Sequence, residues 1–200
     1  MAGWAVGLLL VYGVLAFGVR VGVALRTTGR TGIVRLRGVP SIELVGGLLF
    51  IGSGAMGVAN PILVLGDVIE PIDALDVTGL HALGFAFAGI GIAGTFLAQL
   101  EMGASWRIGV NESERTDLVT GGIFSLCRNP IYTFMVITWL GLALLVPTWL
   151  SIASVPAAIL ALEVQVRLVE EPYLLSGHGD SYRAYASQVG RFVPGLGLLG

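Results

Sequence analysis

The chain has 200 residues, of which 55% are hydrophobic and only 12% charged, where a soluble domain carries about 25% charged residues. That is too little charge to cover a water-facing surface, which excludes a soluble enzyme and a disordered chain. Net charge is −2 and all 11 basic residues are Arg, so there is no basic field for nucleic acid, while the single Cys127 excludes a disulfide framework and a Cys-rich metal centre.

Along the chain, charge-free runs long enough to cross a membrane come first. A span needs about 20 apolar residues for a hydrocarbon core of about 30 Å. Residues 1–19 carry no charge, and the apolar run continues to Leu25. Arg20 near its end is expected to snorkel to the headgroups. The run lacks a basic leader and an A-x-A cleavage site, so it reads as span 1 and not as a signal peptide. Residues 44–66 form span 2, and 77–100, with His81 at the outer end, form span 3.

Residues 129–162 carry no charge, too long a run for one span and short for two. Pro147-Thr148-Trp149 stands near the middle, and proline both stops and starts helices. The pattern predicts a tight hairpin, with one short helix over 131–146 and a second from 148. Glu163, Arg167, Glu170 and Glu171 carry that second helix beyond the membrane. The expected fold is all-α, an integral membrane bundle of about five transmembrane helices whose last two form a hairpin. It is a single domain, in which 1–100 is a three-span anchor without a polar constellation and 101–200 holds the chemistry. Thirty glycines suit such close-packed helices. No internal repeat supports a transporter.

Arginine distribution orients the bundle. Arg26, Arg30, Arg35 and Arg37 follow span 1, whereas Asp67, Glu70, Asp73 and Asp76 follow span 2. Arg107, Arg115 and Arg128 precede the hairpin, and Arg167, Arg183 and Arg191 lie beyond it. The N-terminus is expected outside, and the C-terminus and every candidate site residue on the cytoplasmic side.

Two segments carry the chemistry. The first runs from Thr116 through Gly121-Gly122, a turn signal, to Arg128-Asn129-Pro130-Ile131-Tyr132. Pro130 begins the hairpin's first helix, so free backbone N–H groups stand beside Arg128, a place suited to an anion. The second segment holds Arg167 and Glu171, whose i,i+4 spacing predicts one shared helix face. Gly179, Tyr182 and Tyr185 follow, then Arg191 and Pro194. The tyrosine pair suits a cationic ligand near carboxylates or, equally, an interfacial belt.

In that order and spacing, Arg-Asn-Pro-Ile-Tyr, the charge-free hairpin, Arg-x-x-Glu-Glu, Gly-x-x-Tyr-x-x-Tyr and Val-x-Arg-x-x-Pro resemble the isoprenylcysteine carboxyl methyltransferase family. That family is similar in turn to the membrane phospholipid methyltransferases. The resemblance covers about residues 105–194. It implies S-adenosylmethionine (SAM) held at the cytoplasmic rim and a lipophilic acceptor arriving through the surrounding lipid, with no obligate protein partner.

By position, Thr116, Asp117, Leu118 and Val119 match the family stretch that lines the cofactor, largely through backbone. Phe124, Asn129, Pro130, Ile131 and Tyr132 match further cofactor positions, and Glu171 matches the cofactor-binding Glu. Arg167 matches the Arg near the acceptor, the expected catalytic and substrate-holding residue, with Tyr182 and Tyr185 beside the substrate. Three positions depart from the pattern. Asn129 replaces a His and cannot act as a base. Pro172 is expected to end or kink the helix directly after Glu171. His178 takes an aromatic position before Gly179. A carboxylate acceptor is expected; a phospholipid amine, a lipophilic thiol, or an inactive scaffold of the same fold are the alternatives.

Overall fold

A computed structural model describes residues 1–29, 31, 41–106 and 117–200, with backbone only at 41–43. The described residues are helical, without a strand. Helix α1 covers Ala2–Thr28, α2 Ser41–Leu65, α3 Thr78–Met102, α4 Pro130–Leu145, α5 Trp149–His178 and α6 Asp180–Gln188. Four of them, α1, α2, α3 and α5, are long and apolar enough to cross a membrane. The exception among the expected five is α4, whose 16 residues reach only about 24 Å at 1.5 Å per residue.

The hairpin falls where Pro147 and Thr148 predict it. Thr148 caps α5, accepting from the Ser151 N–H while the Ser151 hydroxyl accepts from the Thr148 N–H. In lipid, a turn's backbone must be satisfied by protein, and α2 supplies the partner. Asn60 donates to the Val146 carbonyl at 3.0 Å and accepts from the Thr148 hydroxyl at 2.5 Å. The Ile72 N–H closes the turn on the Pro147 carbonyl at 2.7 Å.

Packing pairs α3 with α4 and α2 with α5, and α1 lies against α2. Glycine makes the α3–α4 approach possible: a Cβ on Gly91 would stand 2.3 Å from the Thr138 hydroxyl, and one on Gly141 2.3 Å from the Ala88 nitrogen.

Three expectations change. Arg20 does not snorkel; it is 1% exposed and turned into the protein, where it donates to the Gly103 carbonyl. With it, the first hundred residues hold a polar seam, because buried Gln99 donates to the Ala16 carbonyl at 3.2 Å and Thr95 is buried one turn away. The seam lies beside a π-helical stretch, Val14–Val19, whose wider turn alters the usual carbonyl pairing. Pro172 does not end its helix: a second π-helical stretch, Val166–Glu170, precedes it, and α5 continues to His178 and Gly179, at φ 53°. The arginines 30, 35, 37, 107 and 115 lie outside the described residues.

Candidate active site

Just before the start of α4 the chain folds against its own C-terminal segment. Cys127 forms a parallel bridge with Gly190, and the Arg128 and Asn129 N–H groups donate to the carbonyls of Gly190 and Arg191 at 2.8 and 3.0 Å. The Asn129 side chain also donates to the Arg191 carbonyl, at 3.0 Å, and the Thr133 hydroxyl to the Phe192 carbonyl at 2.8 Å. Pro130, lacking an N–H, starts α4 immediately after this seam.

Three buried charges lock the arrangement. Glu171 is 5% exposed and accepts from Arg128 Nη2 at 2.6 Å, Arg191 Nε at 2.8 Å and Arg191 Nη2 at 2.9 Å. Arg128 also donates through its two terminal nitrogens to the carbonyls of Ala186, Val189 and Gly197, at 2.9, 2.5 and 3.0 Å, while its buried Nε makes no hydrogen bond among the described residues. The bond to Glu171 raises the Arg191 guanidinium above its usual value, against the opposing effect of burial. Charge-assisted bonds of this kind are about twice as strong as neutral ones, so the Glu171 knot is the firmest polar contact between the hairpin and the C-terminal segment.

The tyrosines join the same structure. Tyr182 is 1% exposed, with its ring 6.2 Å from that of Tyr185 in an edge-on arrangement. Burial, aided by the Glu171 charge, pushes the Tyr182 phenol up to about 12. Tyr185 donates to the Phe124 carbonyl at 2.6 Å, fastening α6 to the 3₁₀ turn Gly122–Ser125. Burial also pushes the Cys127 thiol up. These two phenols therefore brace the site from within.

Beside the knot lies a second, half-buried constellation. The Tyr132 hydroxyl donates to Glu170 Oε1 at 2.5 Å, and Gln165 Nε2 donates to the same oxygen at 3.4 Å. Asn129 and Ile131 are half-buried nearby in sequence, while Phe124 and Pro130 are buried. Asp117, Leu118 and Val119 form an irregular, exposed to half-buried stretch before the 3₁₀ turn; Thr116 lies outside the described residues. Glu170 and Gln165 are the polar groups that spacing did not single out. The only available signal was the doubled Glu170-Glu171, whose two carboxylates the π turn sends to different partners.

Arg167 and Glu171 do not meet, contrary to the shared face that their spacing predicts. The Arg167 side chain is 55% exposed and pairs with Glu163, while Glu171 is enclosed by Arg128 and Arg191. The wider π turn at Val166–Glu170 shifts the register between them. His178 is the last residue of α5, with Gly179 as its cap, seven positions beyond Glu171.

Known proteins bear on this geometry. The chain is similar to the nickel-cobalt-cadmium resistance protein NccN of Alcaligenes xylosoxydans xylosoxydans, 28% identical over 55% of this chain and 51% of that protein. It is similar to the protein-S-isoprenylcysteine O-methyltransferase of Schizosaccharomyces pombe, 29% identical over 56% of this chain and 48% of the other. The chain thus spans about half the length of these curated relatives. Among the described residues, no group of three or more His, Cys, Asp or Glu is placed to hold a metal ion. The fold matches the structure of the eukaryotic intramembrane Ras methyltransferase ICMT with a TM-score of 0.63 at 19% identity, over 97% of this chain and 67% of that one. The model of the phospholipid methyltransferase family matches residues 80–181, which take in α3, the knot's Arg128 and Glu171, and the hairpin between them; the chain belongs to that family.

Proposed function

We propose that this protein is an integral membrane methyltransferase that uses SAM to methylate a lipophilic acceptor of the isoprenylcysteine type at its carboxylate. The observation that carries the reading is the Glu171 knot, which draws the family-matched hairpin and the C-terminal segment into one site beside Glu170 and Tyr132. The donor set suits SAM: the Glu170 carboxylate and Tyr132 hydroxyl offer an acceptor and a polar hydroxyl for its ammonium or ribose, and the irregular 117–119 stretch offers backbone groups outside regular structure. When bound, SAM supplies an electrophilic methyl group on a sulfonium.

The chain's own residues supply alignment. An anionic acceptor needs orientation and exclusion of water, not a base, and alignment of two bound reactants is worth about 7–11 kcal/mol. Asn129 in place of a titratable His is compatible with such a reaction. Arg167, exposed beside the membrane part of α5, is the residue proposed to hold the acceptor carboxylate, exchanging Glu163 for it. Tyr182 and Tyr185 act on the substrate side by holding α6 in place. The arginine asymmetry orients this site towards the cytoplasm and the acidic loop 67–76 outside.

The test is calorimetric SAM binding to the detergent-purified protein, followed by radiolabelled methyl transfer to a prenylcysteine. We expect saturable binding, and we expect Arg167→Ala to abolish transfer while SAM affinity stays close to wild type. Arg167→Lys should restore only part of the rate, because an ammonium keeps the charge and loses the fork. A folded wild-type protein without SAM affinity refutes the enzyme reading; a fully active Arg167→Ala removes Arg167 from it.

A further inference from the structure

The polar seam of the first hundred residues ends on the segment that leads into the site. Arg20 is buried in α1, donates through Nη2 to the Gly103 carbonyl, and lies with Cζ 4.7 Å from the centroid of the buried Trp106 ring. It pairs with no carboxylate among the described residues, and its Nε has no partner. Desolvating a guanidinium costs several kcal/mol, yet both of its contacts fall on the short turn after α3. There Gly103 takes φ 56° and the chain leaves the helix.

That turn is fastened in its own right to the stretch 117–123. Ser105 donates through its hydroxyl to the Asp117 carbonyl at 3.1 Å. Glu101, in the last turn of α3, accepts from the Ile123 N–H at 2.7 Å. Its carboxylate also lies against Gly122, where a Cβ would come within 2.3 Å of Oε2 and φ is +57°. Both ends of 117–123 therefore hang from residues 101–105, and Arg20 ties the adjoining turn to α1.

We infer that Arg20 and Glu101 are positioning residues, which fix the 117–123 backbone from α1 and α3 and thereby set affinity for the methyl donor. The donor part rests on the function proposed above; the clamp does not. Neither residue touches the Glu171 knot, so the two devices act on different sides of the same site. A merely structural role would affect the whole fold, whereas a clamp acts on one stretch of backbone and on one ligand.

The experiment is hydrogen–deuterium exchange on the donor-free, detergent-purified full chain, for wild type, Arg20→Met, Arg20→Lys and Glu101→Ala. Glu101 is exposed, so its variant serves if Arg20→Met fails to fold. We expect exchange at 118–124 to rise about tenfold in Arg20→Met and Glu101→Ala, the order of effect seen for residues that couple without touching ligand. Exchange at 128–133 and 189–192 should stay unchanged. SAM dissociation constants should rise by a similar factor, with kcat at saturating SAM little changed. Arg20→Lys should recover part, since it reaches the carbonyl but cannot stack on Trp106 as a plane. Unchanged exchange at 118–124 in both variants overturns the clamp, whatever SAM does. Raised exchange with unaltered SAM affinity overturns its role in donor binding, and a wild type blind to SAM overturns the function proposed above and not the clamp.

Discussion

Arginine is buried on opposite terms in the two halves of this protein. Around Glu171, two guanidinium groups share one carboxylate and three backbone carbonyls. Around Arg20, one guanidinium has a single carbonyl and an indole ring. In the first place the charges depend on one another, and removing either sign strands the other. In the second, no counter-charge is paired with the guanidinium among the described residues, so none is stranded there. Buried charge therefore concentrates stability at one site and geometric control at the other.

The largest effect expected from this contrast is at Glu171. Glu171→Gln leaves two buried cations facing a neutral amide, and breaking a buried pair from one side costs about 3–5 kcal/mol. Thermal unfolding in detergent should show it as the largest fall in midpoint among the three variants. A variant as stable as wild type would mean that the carbonyls alone hold the two arginines.

Tyr185→Phe sharpens the comparison, because it removes a neutral tie from the same region. Losing one hydroxyl bond to the Phe124 carbonyl should cost about 1 kcal/mol, measured by the same unfolding transition. A cost matching that of Glu171→Gln would show that the phenols, not the ions, hold α6.

Smallest is the stability change in Arg20→Met. It gives up one hydrogen bond and a cation–π contact but also the desolvation of a charge, so the net should stay within about 1 kcal/mol. A loss comparable with that at Glu171 would erase the distinction between the two regions.

Different parts of this design were open to the sequence to different degrees. The spans were legible because charge-free runs report directly on lipid, and the hairpin because Pro147 and Thr148 are chemically suited to ending one helix and capping the next. Arg128 and Glu171 were each visible as candidates, but their pairing was not, since they lie 43 positions apart in the chain and only packing brings them together. Arg20 was misplaced for a related reason. Its distance from the end of a hydrophobic run says how deep it lies, and nothing in that run says which side of α1 faces α3. The π turns leave no compositional mark, so the divergence of Arg167 from Glu171 could not be read from an i,i+4 spacing.

The knot has a consequence for biosynthesis. A membrane chain is made from its N-terminus, and its hairpin can settle into lipid while later residues are still being translated. Arg128, however, finds its partners at Glu171, Ala186, Val189, Gly190 and Gly197. Until Gly197 has left the ribosome, an inserted hairpin carries an incompletely matched cation at its base. Closure of the site thus waits on the docking of the C-terminal segment onto the membrane bundle, because that segment supplies most of the groups that match the cation.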